Sequence, residues 1–241
     1  MIRLAAVGDL HFGDDSAGTW APHLTHLAEV ADALLLAGDL TRVGRADEAA
    51  VLAAELLDVR LPIVAVLGNH DYHSDEAKAV VELLDGAGVT VLEGNAIVLD
   101  VNGASVGIAG TKGFGGGFAG ANASAFGEPE MKAFIDHSAA LADTMAEALL
   151  GLDTDWKIAL MHYAPVKDTV QGERPEIFPF LGSYFLAEAV DAGGADLVVH
   201  GHAHHGTEKG VTPGGVHVRN VAQPVLRRSY AVYRLGESED G

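Results

Sequence analysis

Five apolar runs of strand length each break off into a short cluster of Asp, Asn or His. Ile2–Val7 leads into Asp9 and His11, Ala33–Ala37 into Asp39, and residues 63–67 into Asn69, His70 and Asp71. Residues 157–161 lead into His162, and Leu197–His200 into His202 and His204. Glycines stand before Asp9, Asp39, Asn69 and His202, where they allow the backbone to turn sharply and lie close to whatever the side chains hold. Between the runs lie stretches with helical character at 19–30, 46–57, 75–87, 129–150 and 185–192. Strand then helix, repeated, is the order of an α/β fold with a largely parallel sheet. A further strand is expected at 89–92, and Asn102 with Gly103 marks a hairpin between 96–101 and 105–109. Two tail segments, 216–220 and 230–235, read as antiparallel strands. Two packed sheets with helices outside are therefore expected.

The chain of 241 residues shows neither internal repeats nor a linker, so one domain over 1–241 is expected. Its 49% hydrophobic and 20% charged residues place it among globular rather than disordered sequences. Two segments lack periodicity, 111–127 with its run of glycines and 163–182 with three prolines. Loops of that length usually serve a site. Residue 1 onward has no charged leader followed by a cleavage signal, and no apolar stretch reaches the length of a membrane span. A cytoplasmic protein without a membrane partner is expected.

In open α/β sheets, ligands bind at the carboxyl ends of the strands, which is where all five clusters fall. The chain has no cysteine, which removes disulfides, thiolate nucleophiles and thiolate metal sites. Imidazole, carboxylate and amide oxygen remain, the donors that suit hard and borderline divalent metals. Two such ions about 4 Å apart, bridged by one carboxylate, can clamp the attacking and leaving oxygens of a phosphoryl transfer. Water on such ions ionises near neutral pH and supplies a nucleophile without serine or cysteine. The net charge of −19 repels long nucleic acid and anionic lipid, while a metal pair restores positive potential locally for a small anionic substrate.

The sequence around Asp9 and His11, Gly38 and Asp39, Gly68 to Asp71, His162, and Gly201 to His204 resembles the calcineurin-like metallophosphoesterase superfamily. Each short motif alone is weak, whereas five in order across residues 8–204 are specific. The resemblance implies a four-layer αββα sandwich of two mixed β-sheets flanked by helices. It implies two divalent metal ions per chain, Mn, Fe, Zn or similar. The first would bind Asp9, His11 and His204, the second Asn69, His162 and His202, and Asp39 would bridge them. His70 would stay off the metals as the catalytic general acid or as a stabiliser of the leaving oxygen. The implied activity is hydrolysis of a small phosphate mono- or diester by metal-bridging hydroxide. The phosphoprotein phosphatase branch carries an Asp three residues after the bridging Asp, and here that place is taken by Arg42. A cation there either disfavours protonated His70 or points its guanidinium at substrate phosphate.

Other readings stand beside these. His23, His26, His137 and His217 read as structural or exposed histidines, and His200 as a packing residue at the end of a buried strand. His73 and His205 flank the motifs and are candidates for contacts around the site. Phe114 and Phe118 either belong to a flexible surface loop or cap a pocket. Arg174, in the loop that follows His162, is a candidate phosphate contact. The helix at Pro129–Leu150 reads as scaffold with Phe134, Leu141, Met145 and Leu149 as its buried stripe. The alternatives to a small-molecule phosphoesterase are a nuclease and a non-catalytic metal-binding scaffold on the same fold. The acidic balance without a basic stripe opposes the first, and retention of all seven donors together with His70 opposes the second.

Overall fold

The computed structural model describes residues 1–236. Strands follow in chain order as β1 (Ile2–Val7), β2 (Ala33–Ala37), β3 (Ile63–Val66), β4 (Val89–Val91), β5 (Asn95–Val101), β6 (Ala104–Thr111), β7 (Gly117–Phe118), β8 (Ala121–Asn122), β9 (Trp156–Met161), β10 (Leu197–His200), β11 (Lys209–Val211), β12 (His217–Asn220) and β13 (Ala231–Leu235). The first sheet has the order β13-β1-β2-β3-β4, parallel except for antiparallel β13. The second has the order β11-β12-β10-β9-β6-β5, with parallel pairing at its centre and an antiparallel strand at each edge. β7 and β8 form a separate small hairpin.

Sheets covered on both faces must present apolar side chains both ways, which explains why β2 and β3 are unbroken runs of buried Ala, Ile, Leu and Val. Between the two sheets lie Leu4, Leu35, Val64 and Val66 from the first, against Ile108, Ile158, Leu160 and Val199 from the second. The outer face of the first sheet packs under helices Ala46–Leu56 and Ala77–Gly86 through Leu52, Leu56, Val80 and Leu84. That of the second packs under helices Pro129–Leu150 and Tyr184–Gly193 through Met145, Leu149, Leu186 and Val190. The result is the four-layer αββα sandwich of two mixed sheets. No helix among the described residues is long and apolar enough to cross a membrane.

Several sequence expectations need correcting. Segment 19–30 is two short helices, Ala21–Leu24 and Leu27–Val30, broken around Thr25 and His26. The tail strands do not pair with each other: β12 joins β10 and β11 in the second sheet, whereas β13 crosses to the edge of the first beside β1. Alternation alone carries no information about which edge a terminal strand will find. Along Pro129–Leu150 the buried stripe is Ile135, Ser138, Ala142, Met145 and Leu149, with Phe134 and Leu141 half-buried. Ser138 sits beside Gly116, and Phe134 packs beside Gly115 and the Phe114 ring, so this part of the helix faces the glycine-rich segment. The hairpin at Asn102 and Gly103 forms with both residues at positive φ, 54° and 81°, as a tight two-residue turn requires.

Leu35 lies fully buried between the sheets, so its truncation leaves a cavity that neither sheet can close. Leu35→Ala is expected to lower stability by about 2–5 kcal/mol in urea-induced unfolding. A loss under about 1 kcal/mol would contradict a tightly packed inter-sheet layer.

Candidate metal centre

The five loops that follow β1, β2, β3, β9 and β10 meet at one edge of the sandwich. Backbone hydrogen bonds tie them together: the Asp9 N–H donates to the Gly38 carbonyl at 2.9 Å and the His11 N–H to the Asp39 carbonyl at 3.0 Å. The Gly201 N–H donates to the His162 carbonyl at 3.1 Å. Asp9, His11, Asp39 and His202 all carry positive φ, between 47° and 70°, a conformation costly for side chains of this kind. Four such residues in one cleft are held there by the surrounding structure. Gly68 and Gly201 permit the close approach, because a Cβ on Gly68 would lie 2.2 Å from Asp39 Oδ1 and one on Gly201 would lie 2.4 Å from Asp9 Oδ2.

Two donor groups result, and they share one residue. Asp9, His11, Asp39 and His204 form the first, and Asp39, His162 and His202 the second. Within them His204 Nε2 is 2.8 Å from Asp9 Oδ1, His162 Nε2 is 3.4 Å from Asp39 Oδ1, and His11 Nε2 is 3.8 Å from Asp39 Oδ2. Asn69 joins the second group, its Oδ1 lying 3.0 Å from His162 Nε2. Ligands about 2.1 Å from a common ion lie about 3–3.5 Å apart, so these spacings suit a divalent cation. One further observation supports that fit. His11 Nε2 is buried without a hydrogen-bond partner, although it faces Asp39. A buried ring nitrogen in that state calls for a partner, and a cation supplies one.

The electrostatics follow from crowding. Burial opposes charge on Asp39, but His162 and the His70 N–H outweigh it and hold its carboxyl well below the usual range. Burial likewise opposes charge on His162, and Asp39 overcomes it, pushing the imidazole up to about 9 in the metal-free protein. Burial pushes His202 down to about 3 and lowers His11. The hydrogen bond to Asp9 raises His204. Carbonyls fix two of the rings: Ala37 accepts from His162 Nδ1 at 2.8 Å and Phe180 from His202 Nε2 at 3.1 Å. For His162 this leaves Nε2 turned to Asn69 and Asp39, the orientation of a ligating histidine.

His70 stands at the exposed side of the cluster, with its ring 4.6 Å from that of His11. Its Nδ1 donates to the Arg42 carbonyl at 2.7 Å. The Arg42 side chain turns the other way and its Nη2 binds Asp15 Oδ1 at 2.6 Å. The contact between the two residues therefore runs through the Arg42 main chain and not through its guanidinium. Arg174 is exposed at the start of the turn Pro175–Ile177. His200 is buried with both nitrogens engaged, to the Gly201 carbonyl and Thr169 Oγ1, as a packing residue should be. His73 and His205 are exposed.

The two irregular segments are stitched to each other. The Gly116 N–H donates to the Pro179 carbonyl and the Gly117 N–H to the Gly182 carbonyl, at 2.6 and 2.8 Å. Phe118 is buried against Phe178 in a small core of its own, which replaces the reading of a loose surface loop. Phe114 instead lines a pocket of about 450 Å³ beside Asn69, with Tyr72, Glu93, Lys112, His137, Leu141 and Tyr163.

Asp71 carries a positional role that the sequence motif does not reveal. It is fully buried and accepts from the Leu40, Thr41 and Gly68 N–H groups and from Thr41 Oγ1, at 2.6–3.2 Å. It thereby locks the loop bearing Asp39 to the loop bearing Asn69 and His70. Burial pushes its carboxyl up against those hydrogen bonds.

The family model of calcineurin-like phosphoesterases matches residues 2–206, and the chain belongs to that family. Its fold is similar to that of phosphopantetheinyl hydrolase from Mycobacterium tuberculosis, with a TM-score of 0.68 at 19% identity over 99% of this chain and 97% of that one. The protein TT1561 of Thermus thermophilus is similar at a TM-score of 0.60 and 20% identity, over 97% and 98%. A putative 5′-nucleotidase from Staphylococcus aureus follows at 0.56 and 14%, with 91% of this chain on 48% of that one. A search of curated proteins finds no match.

Removing the Asp71 carboxylate strands three buried N–H donors. Asp71→Ala is expected to cost about 3 kcal/mol or more and to weaken metal binding, although Asp71 belongs to neither donor group. Urea unfolding and metal titration read the two effects. Unchanged metal affinity in a folded variant would contradict the locking role.

Proposed function

We propose that the chain is a dinuclear metal-dependent phosphoesterase acting on small phosphate mono- or diesters. The observation that carries this reading is the sharing of Asp39 between two donor groups that have no other common member. In it, Asp9, His11 and His204 hold one ion, Asn69, His162 and His202 the other, and Asp39 both. Manganese, iron and zinc all suit a donor set of nitrogen and oxygen without sulfur. Two divalent ions there would supply positive charge for the phosphoryl oxygens and lower the pKa of an attacking water.

The chain's own residues do the rest. The positive-φ turns at Asp9, His11, Asp39 and His202 aim the donors inward before substrate arrives, so little reorganisation is left for the reaction itself. The Ala37 carbonyl keeps a proton on His162 Nδ1 and leaves Nε2 to ligate. His70, with Nδ1–H committed to the Arg42 carbonyl, presents Nε2. A proton on that atom can pass to the leaving oxygen or stabilise its charge. Arg42 and Arg174 are candidate phosphate contacts in this reading; Arg174 is exposed, and Arg42 would have to leave Asp15 to serve as one. The net charge of −19 favours small substrates over nucleic acid.

Turnover of a panel of mono-, di- and cyclic phosphates by Mn²⁺-loaded protein tests the proposal. Hydrolysis of small esters, abolished by Asp39→Ala, is expected. Rapid cleavage of double-stranded DNA with little action on small esters would favour a nuclease. Absence of turnover in protein shown to hold its metals would favour a scaffold.

His70→Asn is expected to keep the metal content and most of the substrate affinity. It should lower kcat by about 10²–10⁴-fold for alkyl phosphates, and by less for nitrophenyl esters, whose leaving group needs no proton. An equal defect for both would remove the proton-donor role, and loss of an ion would make His70 a ligand.

A further inference from the structure

The pocket of about 450 Å³ beside Asn69 has a feature that the metal-centred reading leaves unused. Lys112 follows the end of β6, a sixth strand end at the same edge, and its carbonyl accepts the N–H groups of His162 and Tyr163 at 3.1 and 3.0 Å. Its stem is half-buried, and its ammonium lies over three aromatic rings: Phe114 at 4.8 Å, Tyr163 at 5.3 Å and Tyr72 at 5.5 Å. The rings stabilise the cation without neutralising it. The ammonium has three donors, and one is used, by the Gly113 carbonyl at 3.1 Å.

The nearby carboxylate is already committed. Glu93 Oε1 accepts from Thr111 Oγ1 at 3.2 Å and from the Lys112 N–H at 3.3 Å, and Glu93 Oε2 accepts from Tyr72 Oη at 3.1 Å. No carboxylate among the described residues lies within ion-pair distance of Lys112 Nζ. The ammonium sits half-buried among aromatic rings with two donors unused, near Glu93 but out of ion-pair reach of it, and can take a further acidic group on a flat body. The pocket opens onto the metal cluster, because Asn69 lines it and the Tyr163 ring lies 4.4 Å from that of His202.

We propose that this pocket receives the alcohol part of the substrate, an aryl or heteroaryl group carrying a second acidic function, and that Lys112 binds that function. The proposal rests on the phosphoesterase reading for the orientation of the ester and on the pocket itself for the recognition. Phe114 and Tyr163 would take the flat body, Lys112 the carboxylate or phosphate at its far end. Selectivity would then come from the alcohol part, while the reacting phosphoryl group stays at the Asp39 side.

Two measurements on wild type and Lys112→Met test this. The first is binding of benzoate and of benzyl alcohol to metal-free protein by ligand-observed NMR. Benzoate is expected to bind wild type better than benzyl alcohol does, with Phe114 or Tyr163 ring signals shifting, and to lose that preference in the variant. Equal binding of benzoate to both proteins, or none to wild type, would overturn the pocket assignment whatever the enzyme hydrolyses. The second is kcat/KM for carboxyphenyl against phenyl esters of phosphate, as mono- and diesters, in the metal-loaded enzyme. Lys112→Met should lower the carboxyphenyl-to-phenyl ratio about tenfold, the effect of one hydrogen bond to a charged group. An equal fall for both esters would place Lys112 on the reacting phosphoryl group and overturn the proposal. Benzoate selectivity without hydrolysis of any ester would instead be the failure of the phosphoesterase reading alone.

Discussion

The Asp39 carboxylate sits where both sheets, five loops and two donor groups converge. It is 1% exposed, at a positive φ of 48°, with the His70 N–H donating to Oδ1 at 2.8 Å. His162 lies at 3.4 Å on that oxygen and His11 at 3.8 Å on the other. An isolated carboxylate so placed would be expensive to keep charged. The chain offsets that cost with imidazoles and oriented N–H groups, and a cation on either side would complete it. Much of the surrounding architecture follows from the need to hold this one group ionised and correctly aimed.

The constraint reaches outward through Asp71. Its carboxylate collects N–H groups from Leu40, Thr41 and Gly68, so the β2 and β3 loops cannot shift independently. On the second sheet the Gly201 N–H bond to the His162 carbonyl does the corresponding work. These bonds tie together loops that leave fully buried strands, which anchors the donors at the strand ends. Gly38, Gly68 and Gly201 are among the positions where this geometry leaves no space for a side chain.

Much of the fold and most of the donor cluster were legible in the sequence, for a physical reason. A strand sandwiched between layers must be a continuous apolar run, so each abrupt change to Gly-Asp, Gly-Asn-His or Gly-His marks a strand end as well as a polar group. The helix Pro129–Leu150 was legible through its proline start and length, though its buried face depends on which small residues meet the sheet. Three things were not legible. The partner of β13 lies more than 200 residues away along the chain, so local alternation cannot name it. Asp71 reads as part of a motif, yet its work lies in backbone N–H groups, which have no sequence signature. Lys112 was missed because a lone lysine after a strand is ordinarily a surface residue. Its setting comes from Tyr72, Phe114 and Tyr163, which only the fold assembles.

The most direct measurement of the shared-carboxylate arrangement is the number and position of metal ions in protein reconstituted with Mn²⁺ or Zn²⁺, by elemental analysis and anomalous scattering. Two ions per chain are expected, both in contact with Asp39, one beside Asp9, His11 and His204 and the other beside Asn69, His162 and His202. A single ion at full loading, with the Asp39 carboxylate unliganded, would contradict it.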